Sequence, residues 1–431
     1  MPQDDAQIGQ EIHDFARELF PICRSLTGDG VRETLQIFRR HLPGIDIQEV
    51  PSGTKAFDWT VPPEWNIRDA YLLGPDGRKV VDFQRNNLHV VIYSEPVDRE
   101  MSLAELMPHL HSLPDQPGAI PYVTSYYNRR WGFCLSHRER QALKEGTYRA
   151  VIDSTLEPGA LTYADLLIPG ESSNEVLISS NICHPSLAND DLSGPVVATF
   201  LARWVNALPK RKLSYRFVWI PETIGSIVYL SRHLESLRKN VIAGFTVTCV
   251  GDDRTYSLVP SRAGNTLADR VARHVLKHTD PAFKHYTFLD RGSDERQYCS
   301  PGIDLPVVSV MRSKGGNFPE YHTSLDDLSF ITPGGLQGGY MALRRCLEIL
   351  EGDARYTAKV LCEPQMGKRG LYTTLGTVDV GEAVKTRMNI LTYCDGRHSA
   401  LEIAEILGKP AWTLAPYFAE LVEHELIAVA P

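Results

Sequence analysis

Three segments of this chain carry side chains that bind metal ions and move protons, and each follows an apolar run. The first is Cys183-His184-Pro185, leading into Ala188-Asn189-Asp190-Asp191-Leu192-Ser193-Gly194. The second is Pro221-Glu222-Thr223-Ile224-Gly225-Ser226. The third is Phe318-Pro319-Glu320-Tyr321-His322-Thr323-Ser324-Leu325-Asp326. His184, Asp190 and His322 offer the nitrogen and oxygen donors that Zn²⁺ accepts. Glu222 ends the run Val218-Trp219-Ile220-Pro221, where a carboxylate needs a partner. It suits a general base acting beside such an ion, and the bland alternative is a salt bridge to an arginine. Asp190 or Asp191 could instead cap the helix expected from Ser193; Asp190 is taken as the ligand and Asp191 as a cap or a support. Asp326 is expected to orient His322. Cys183 adjoins His184 too closely in sequence to form a nucleophile–base pair with it, and is read as a buried thiol.

These residues need a scaffold that ends its strands together. From Ala160 to Leu350 strand-like and helix-like runs alternate. Val176–Ser179, Tyr215–Ile220, Gly244–Val250 and Leu305–Val310 read as buried strands; Pro195–Trp204, Ile227–Leu237, Thr266–His278 and Gly335–Leu350 read as helices. That alternation predicts an α/β sandwich on a mixed, largely parallel central sheet. Open sheets of this kind place their sites at strand ends. Ile8 to Phe38 has helical spacing broken at Thr27-Gly28-Asp29-Gly30. Residues 51–154 differ in texture. Short strand-like runs (Ala70–Leu73, Leu88–Ile92, Tyr148–Val151) alternate with Pro- and Gly-marked turns, among dense aromatics. This predicts a small β-rich domain inserted between 1–50 and 155–360. Residues 366–431 predict a separate winged helix: helices at Val384–Tyr393, Ala400–Leu407 and Ala411–His424, a turn and cap at Asp395–Ser399, and a final strand at Leu426–Val429.

The formal net charge of -8 over 431 residues argues against a general nucleic-acid binder. The expected recognition helix, Ala411 to Glu420, holds no Lys or Arg to meet phosphate, so the tail is expected to make protein contacts, within the chain or in a homo-oligomer. Met1–Asp5 is acidic and polar, unlike a secretory leader, and no apolar run reaches membrane-spanning length. The eight cysteines are scattered without a CxxC pair, which suits reduced thiols and a cytoplasmic protein.

The Asp-Asp-x-Ser-Gly at 190–194, Glu-x-x-Gly at 222–225, Ser293-Asp294 ahead of Gly302-Ile303, and Phe-Pro-x-x-His-Thr-x-x-Asp at 318–326 resemble the zinc aminopeptidase superfamily with two co-catalytic metals. The likeness covers roughly Leu161 to Leu350. More narrowly, Pro21-Ile22-Cys23-Arg24-Ser25-Leu26-Thr27-Gly28-Asp29-Gly30 and Thr124-Ser125-Tyr126-Tyr127…Trp131-Gly132-Phe133 are similar to an aminopeptidase-like domain family associated with polysaccharide biosynthesis, from end to end. The resemblance implies His184, Asp190 and His322 as ligands, Glu222 as base, and Asp294 near a substrate amine. It also exposes departures. The family's second glutamate, directly after the base, is Thr223 here. Its strand-end aspartate falls on Thr248, and the aspartate two residues after the first histidine is Ser186. Losing two carboxylates leaves too few ligands for a second zinc, so one Zn²⁺ per chain is expected. Asp252 and Asp253 are rival ligands if the register slips.

The expected function is therefore a zinc-dependent, aminopeptidase-like hydrolase of a peptide or amide bond in a small amine-bearing substrate. Arg24, Arg130 and Arg262 are candidates for an anionic substrate group, and Tyr126, Tyr127 and Trp131 for an aromatic wall. The alternative is a catalytically inactive aminopeptidase-fold module that binds protein partners through its winged helix. A glutaminyl-cyclase-like acyl transfer matches less well, since those enzymes keep Asp, Glu and His ligands.

Overall fold

The computed structural model describes residues 7–371 and 378–430. Met1–Asp5, used above, and residues 372–377 of the expected tail lie outside them. An eight-stranded sheet forms the centre. Its strands in spatial order are Asp46–Pro51, Ala160–Ile168, Ser214–Ile220, Glu175–Asn181, Val241–Val247, Val307–Met311, Ser257–Val259 and Lys284–His285. The middle four run parallel, and an antiparallel neighbour flanks them on each side. Parallel neighbours require crossovers. Helix Ser193–Ala207 supplies one and helix Ile224–Asn240 the next. Every residue of Glu175–Asn181 is buried, as expected of a strand covered on both faces. Helices Ile8–Leu19 and Asp29–His41 join Ser193–Ala207 on one face. Phe15, Phe38, Phe200 and Trp219 meet there, with ring centroids 5.8 to 6.1 Å apart.

The expected strand Gly244–Val250 ends at Val247. Its last residues leave the sheet because other acceptors take their N–H groups. Cys249 N–H donates to the Asn189 carbonyl (3.2 Å), Val250 N–H to Ser193 Oγ (2.9 Å) and Gly251 N–H to Asn189 Oδ1 (2.8 Å). Gly194 permits this seam: a Cβ there would stand 2.2 Å from the Val247 carbonyl oxygen.

The inserted region carries a four-stranded antiparallel sheet in the order Lys79–Asp82, Glu64–Leu73, Thr147–Glu157, Val97–Ser102. Its strand Thr147–Glu157 runs past the expected boundary at 154. Leu88–Ile92 is not a strand. Asn86 Oδ1 accepts the Leu88 N–H (2.9 Å) and closes a single turn over Asn87–His89. The apolar side chains that suggested a strand are buried within a loop instead. The Cys23–Gly30 segment joins this region to the core. Thr27 Oγ1 bonds the Tyr93 hydroxyl at 2.6 Å and accepts the Trp65 N–H at 3.0 Å. Gly28 sits at φ 97°, with the Trp65 carbonyl where a Cβ would be, a position only glycine tolerates.

Contacts divide the chain into two compact units, Met1–Asp269 with Ala282–Met341 and Arg270–Pro281 with Ala342–Pro431. The second unit holds helices Val378–Thr392, Ala400–Leu407 and Ala411–Glu423. Two corrections arise there. Asp395–Ser399, expected as a turn and cap, is a strand, although Ser399 does also cap Ala400–Leu407. Arg355–Ala358, expected to belong to the catalytic domain, is the central strand of the tail's three-stranded antiparallel sheet, between Asp395–Ser399 and Ile427–Val429. A short, half-exposed strand gives little hydrophobic pattern, and pairing alone reveals it. Among the described residues no helix is long and apolar enough to cross a membrane, and all eight cysteines are unpaired.

Within this unit His274 Nε2 accepts the Ala411 N–H at 2.9 Å. Burial, with His278 and Lys277 nearby, lowers the His274 pKa to about 4. The folded unit thus favours neutral His274 while the unfolded chain protonates near 6.5. Its contribution is whole above pH 6.5 and falls away toward pH 4, by up to about 3 kcal/mol. Denaturant unfolding across this range is expected to show that loss, and His274→Gln to flatten it.

Candidate metal centre

The parallel strands deliver the site from their carboxyl ends. His184 follows Glu175–Asn181, Glu222 follows Ser214–Ile220, and Thr248 follows Val241–Val247. The loop carrying His322 follows Val307–Met311. Donor atoms of His184, Asp190 and His322 lie within 4.8 Å of one another. His322 Nε2 faces Asp190 Oδ2 at 3.0 Å, and neither buried atom has a well-formed hydrogen bond to any group. Buried polar atoms are normally hydrogen-bonded, and a shared cation satisfies both. The His184 ring is fixed from behind: its Nδ1–H donates to Asp191 Oδ2 at 2.9 Å, and the same oxygen accepts the N–H groups of Cys183 (3.0 Å) and His184 (3.2 Å). Nε2 of His184 is left for a metal. These residues fit one divalent ion. Thr248 Oγ1 (3.4 Å) and Cys249 Sγ (3.6 Å) donate to the other Asp190 oxygen, so the Thr248 position holds the ligand without being one.

Asp326 does not orient His322. Its carboxylate accepts the N–H groups of Asn189 (2.6 Å) and Asp190 (2.9 Å), and it positions Asp190 by gripping the backbone. Asp191 supports His184 and caps no helix. Asp252 and Asp253 are not ligands. Asp252 accepts from Asn189 Nδ2, Ser313 N–H and Oγ, and Arg254 N–H, and Asp253 bonds Thr332 Oγ1.

Glu222 and His322 line a cavity of about 360 Å³ with Tyr122, Tyr126, Tyr127 and Arg296. A smaller pocket of about 40 Å³ continues beneath Asp190 and Glu222 toward Thr248 and Lys314. The inserted region roofs the larger cavity. Tyr122 N–H donates to the His322 carbonyl (2.8 Å), and Ser324 N–H to the Ile120 carbonyl (2.8 Å). The Tyr122 ring meets both imidazoles edge-on, at 5.1 and 5.0 Å, and its hydroxyl bonds that of Tyr126 at 2.7 Å. Burial pushes the Glu222 carboxyl up to about 8, with Asp294 and Asp190 adding repulsion against the pull of His184. A cation held at the three donors favours its ionised form.

Other expected contacts to substrate are absent. Asp294 is fully buried behind the base, where its Oδ1 accepts the Thr223 N–H and the Ser226 hydroxyl, both at 2.8 Å. Arg24 is buried too, and donates to the Leu19 carbonyl at 2.7 Å. Burial lowers its pKa against the pull of Asp191, so it acts as a countercharge beneath the site. Arg130 donates to the Thr124 carbonyl, and Arg262 to Asp304 and the Cys299 carbonyl. Trp131 stacks on His109 at 3.7 Å and is no part of the wall formed by Tyr126 and Tyr127. Sequence reasoning missed Asn189, Tyr122 and Arg296. Asn189 adjoins the ligand, but nothing in its spacing marks the clamp it makes.

Backbone strain concentrates here. Thr223, Cys249 and His322 have φ of 64°, 52° and 56°, a region that costs non-glycine residues roughly 1–3 kcal/mol each.

This arrangement defines an aminopeptidase-like α/β fold bearing candidate metal-binding residues, with a winged helix at its carboxyl end. Residues 13–353 match the model of a domain of unknown function, DUF4910, and residues 354–429 match a winged helix-turn-helix model; the chain belongs to the DUF4910 family. It is 46% identical over 404 residues to a Clostridium acetobutylicum protein, spanning 93% of this chain and 92% of that one. That protein is provisionally named a polysaccharide biosynthesis protein with an aminopeptidase-like domain. A crystal structure from the same organism, provisionally called a peptidase, superposes with a TM-score of 0.93 at 43% identity, covering 99% of this chain and 98% of the other. A Bacillus subtilis zinc aminopeptidase shares the fold alone, with a TM-score of 0.59 at 11% identity over 81% of this chain and 95% of its own.

Asp191→Asn keeps an acceptor for the backbone N–H groups but loses the charge that holds the His184 tautomer. Zinc affinity, read by competition with a chromophoric chelator, is expected to fall about 10–100-fold.

Proposed function

We propose that the protein is a zinc-dependent hydrolase that cleaves a peptide or amide bond in a small amine-bearing substrate. The observation that carries this reading is the convergence of His184 Nε2, Asp190 Oδ2 and His322 Nε2 beside Glu222 at the floor of an aromatic-roofed cavity. A zinc ion held there supplies Lewis acidity toward a carbonyl oxygen and water. Glu222 accepts the proton of the attacking water at its carboxylate and returns it to the leaving nitrogen. A buried carboxyl with an elevated pKa is suited to both steps. Asp294, bonded to the Thr223 N–H and the Ser226 hydroxyl, keeps the base loop in its strained turn. Tyr122 and Tyr126 exclude water above the imidazoles. The cavity suits a substrate of about dipeptide size.

We assign the winged helix to protein contacts. Its helix Ala411–Glu423 already engages neighbours: Arg345 lies over the Trp412 ring at 4.6 Å, and Arg387 forms a two-bonded pair with Glu420. The substitutions at Thr223 and Thr248 favour the rival reading, an inactive module with the same tail.

Elemental analysis is expected to find about one zinc per chain, lost in His322→Ala. Glu222→Gln should keep the metal and lower amide turnover about 10²–10⁴-fold. Metal-free protein after zinc is supplied, or bound zinc without turnover on a dipeptide panel, would leave the inactive module.

A further inference from the structure

The residue after the base is a threonine, and its hydroxyl accepts a hydrogen bond from Arg296 Nη2. Resemblance to two-metal relatives puts a negative ligand at this position. In this chain a neutral hydroxyl and a permanent cation stand there together. Arg296 lines the same cavity as His184, Glu222 and His322. Its Nε is buried without a partner. Among the described residues no carboxylate forms a close ion pair with it; Glu222 and Asp294 feel its charge, but Asp294 spends its Oδ1 on Thr223 and Ser226. A guanidinium carries several N–H donors in a planar fork, and the Thr223 bond occupies only part of it. A guanidinium N–H buried without an acceptor is costly unless a ligand completes it.

We infer that Arg296 is the anchor for a carboxylate of the substrate, so that the site selects amides bearing a free carboxylate near the scissile bond. This rests on the hydrolase reading for the location of the site and narrows its substrate class. The planar fork matches a carboxylate through two parallel bonds, which a lysine cannot reproduce. Thr223 aims the fork: its hydroxyl accepts from Nη2 while its N–H is tied to Asp294. The requirement for Thr223 then follows, because a carboxylate at 223 would neutralise Arg296.

The test reads binding, not turnover. Zinc-loaded Glu222→Gln protein is titrated calorimetrically with Gly-Phe and with Gly-Phe amide, which differ in the terminal carboxylate. Gly-Phe is expected to bind about tenfold more tightly or better. Adding Arg296→Met should erase that preference, and Arg296→Lys should reduce it several-fold. Equal affinities, a preference for the amide, or no binding of either peptide would overturn the inference. A preference surviving Arg296→Met would also do so, by placing the carboxylate on the metal. If Arg296→Met does not fold, the Lys variant decides, and an unchanged preference there is equally fatal. Absence of hydrolysis by the unmutated protein would sink the hydrolase reading and leave this binding comparison standing.

Discussion

Two hydrogen bonds to one buried carboxylate hold the centre together. Asp326 accepts the backbone N–H groups of Asn189 at 2.6 Å and Asp190 at 2.9 Å. The loop that ends in Asp326 also carries His322, and the turn it grips carries Asp190. One interaction therefore sets the distance between two ligands contributed by distant parts of the chain. Its geometry leaves Asp190 Oδ2 and His322 Nε2 facing each other at 3.0 Å, with no other partner for either atom. Hydrogen bonds of this kind, formed out of water, are stronger than exposed ones. They can stabilise a turn that the local backbone disfavours.

The same logic extends outward. Asn189 bonds the segment leaving strand Val241–Val247 through both its backbone and its side chain, while Asp191 fixes His184. Three consecutive residues, Asn189 to Asp191, thus connect the ends of strands Glu175–Asn181 and Val241–Val247 to the ligand cluster, and the following helix packs against the sheet through Gly194. The inserted region closes the arrangement by bonding Tyr122 to the His322 backbone. The roof and the ligand loop are coupled, so a substrate that shifts Tyr122 acts directly on a metal ligand.

Neutral and cationic side chains set the charge around this centre. Thr223 and Thr248 are neutral where the aminopeptidase resemblance implies carboxylates, so the negative charge that a second cation would offset is absent there. The fixed cation Arg296 beside Thr223 keeps positive charge in the cavity without a second metal. Arg24, buried against the influence of Asp191, balances the carboxylate behind His184.

The spacing of His184, Asp190, Glu222 and His322 was legible in the sequence because each follows an apolar run that must be a strand, and parallel strands end on one side of a sheet. The α/β order, the inserted region and the winged helix followed from the same periodicities. Leu88–Ile92 misled because burial within a loop and burial within a strand select the same apolar side chains. Arg355–Ala358 was hidden because a short, half-exposed strand is specified by the partners that flank it. The roles of Asp326, Asp294, Arg24 and Arg296 belonged to the tertiary structure alone. A carboxylate or guanidinium reads identically in sequence whether it grips a backbone, buttresses a turn or faces a cavity. Only the placement of its unpaired atoms, set by contacts between distant segments, decides which of these it does.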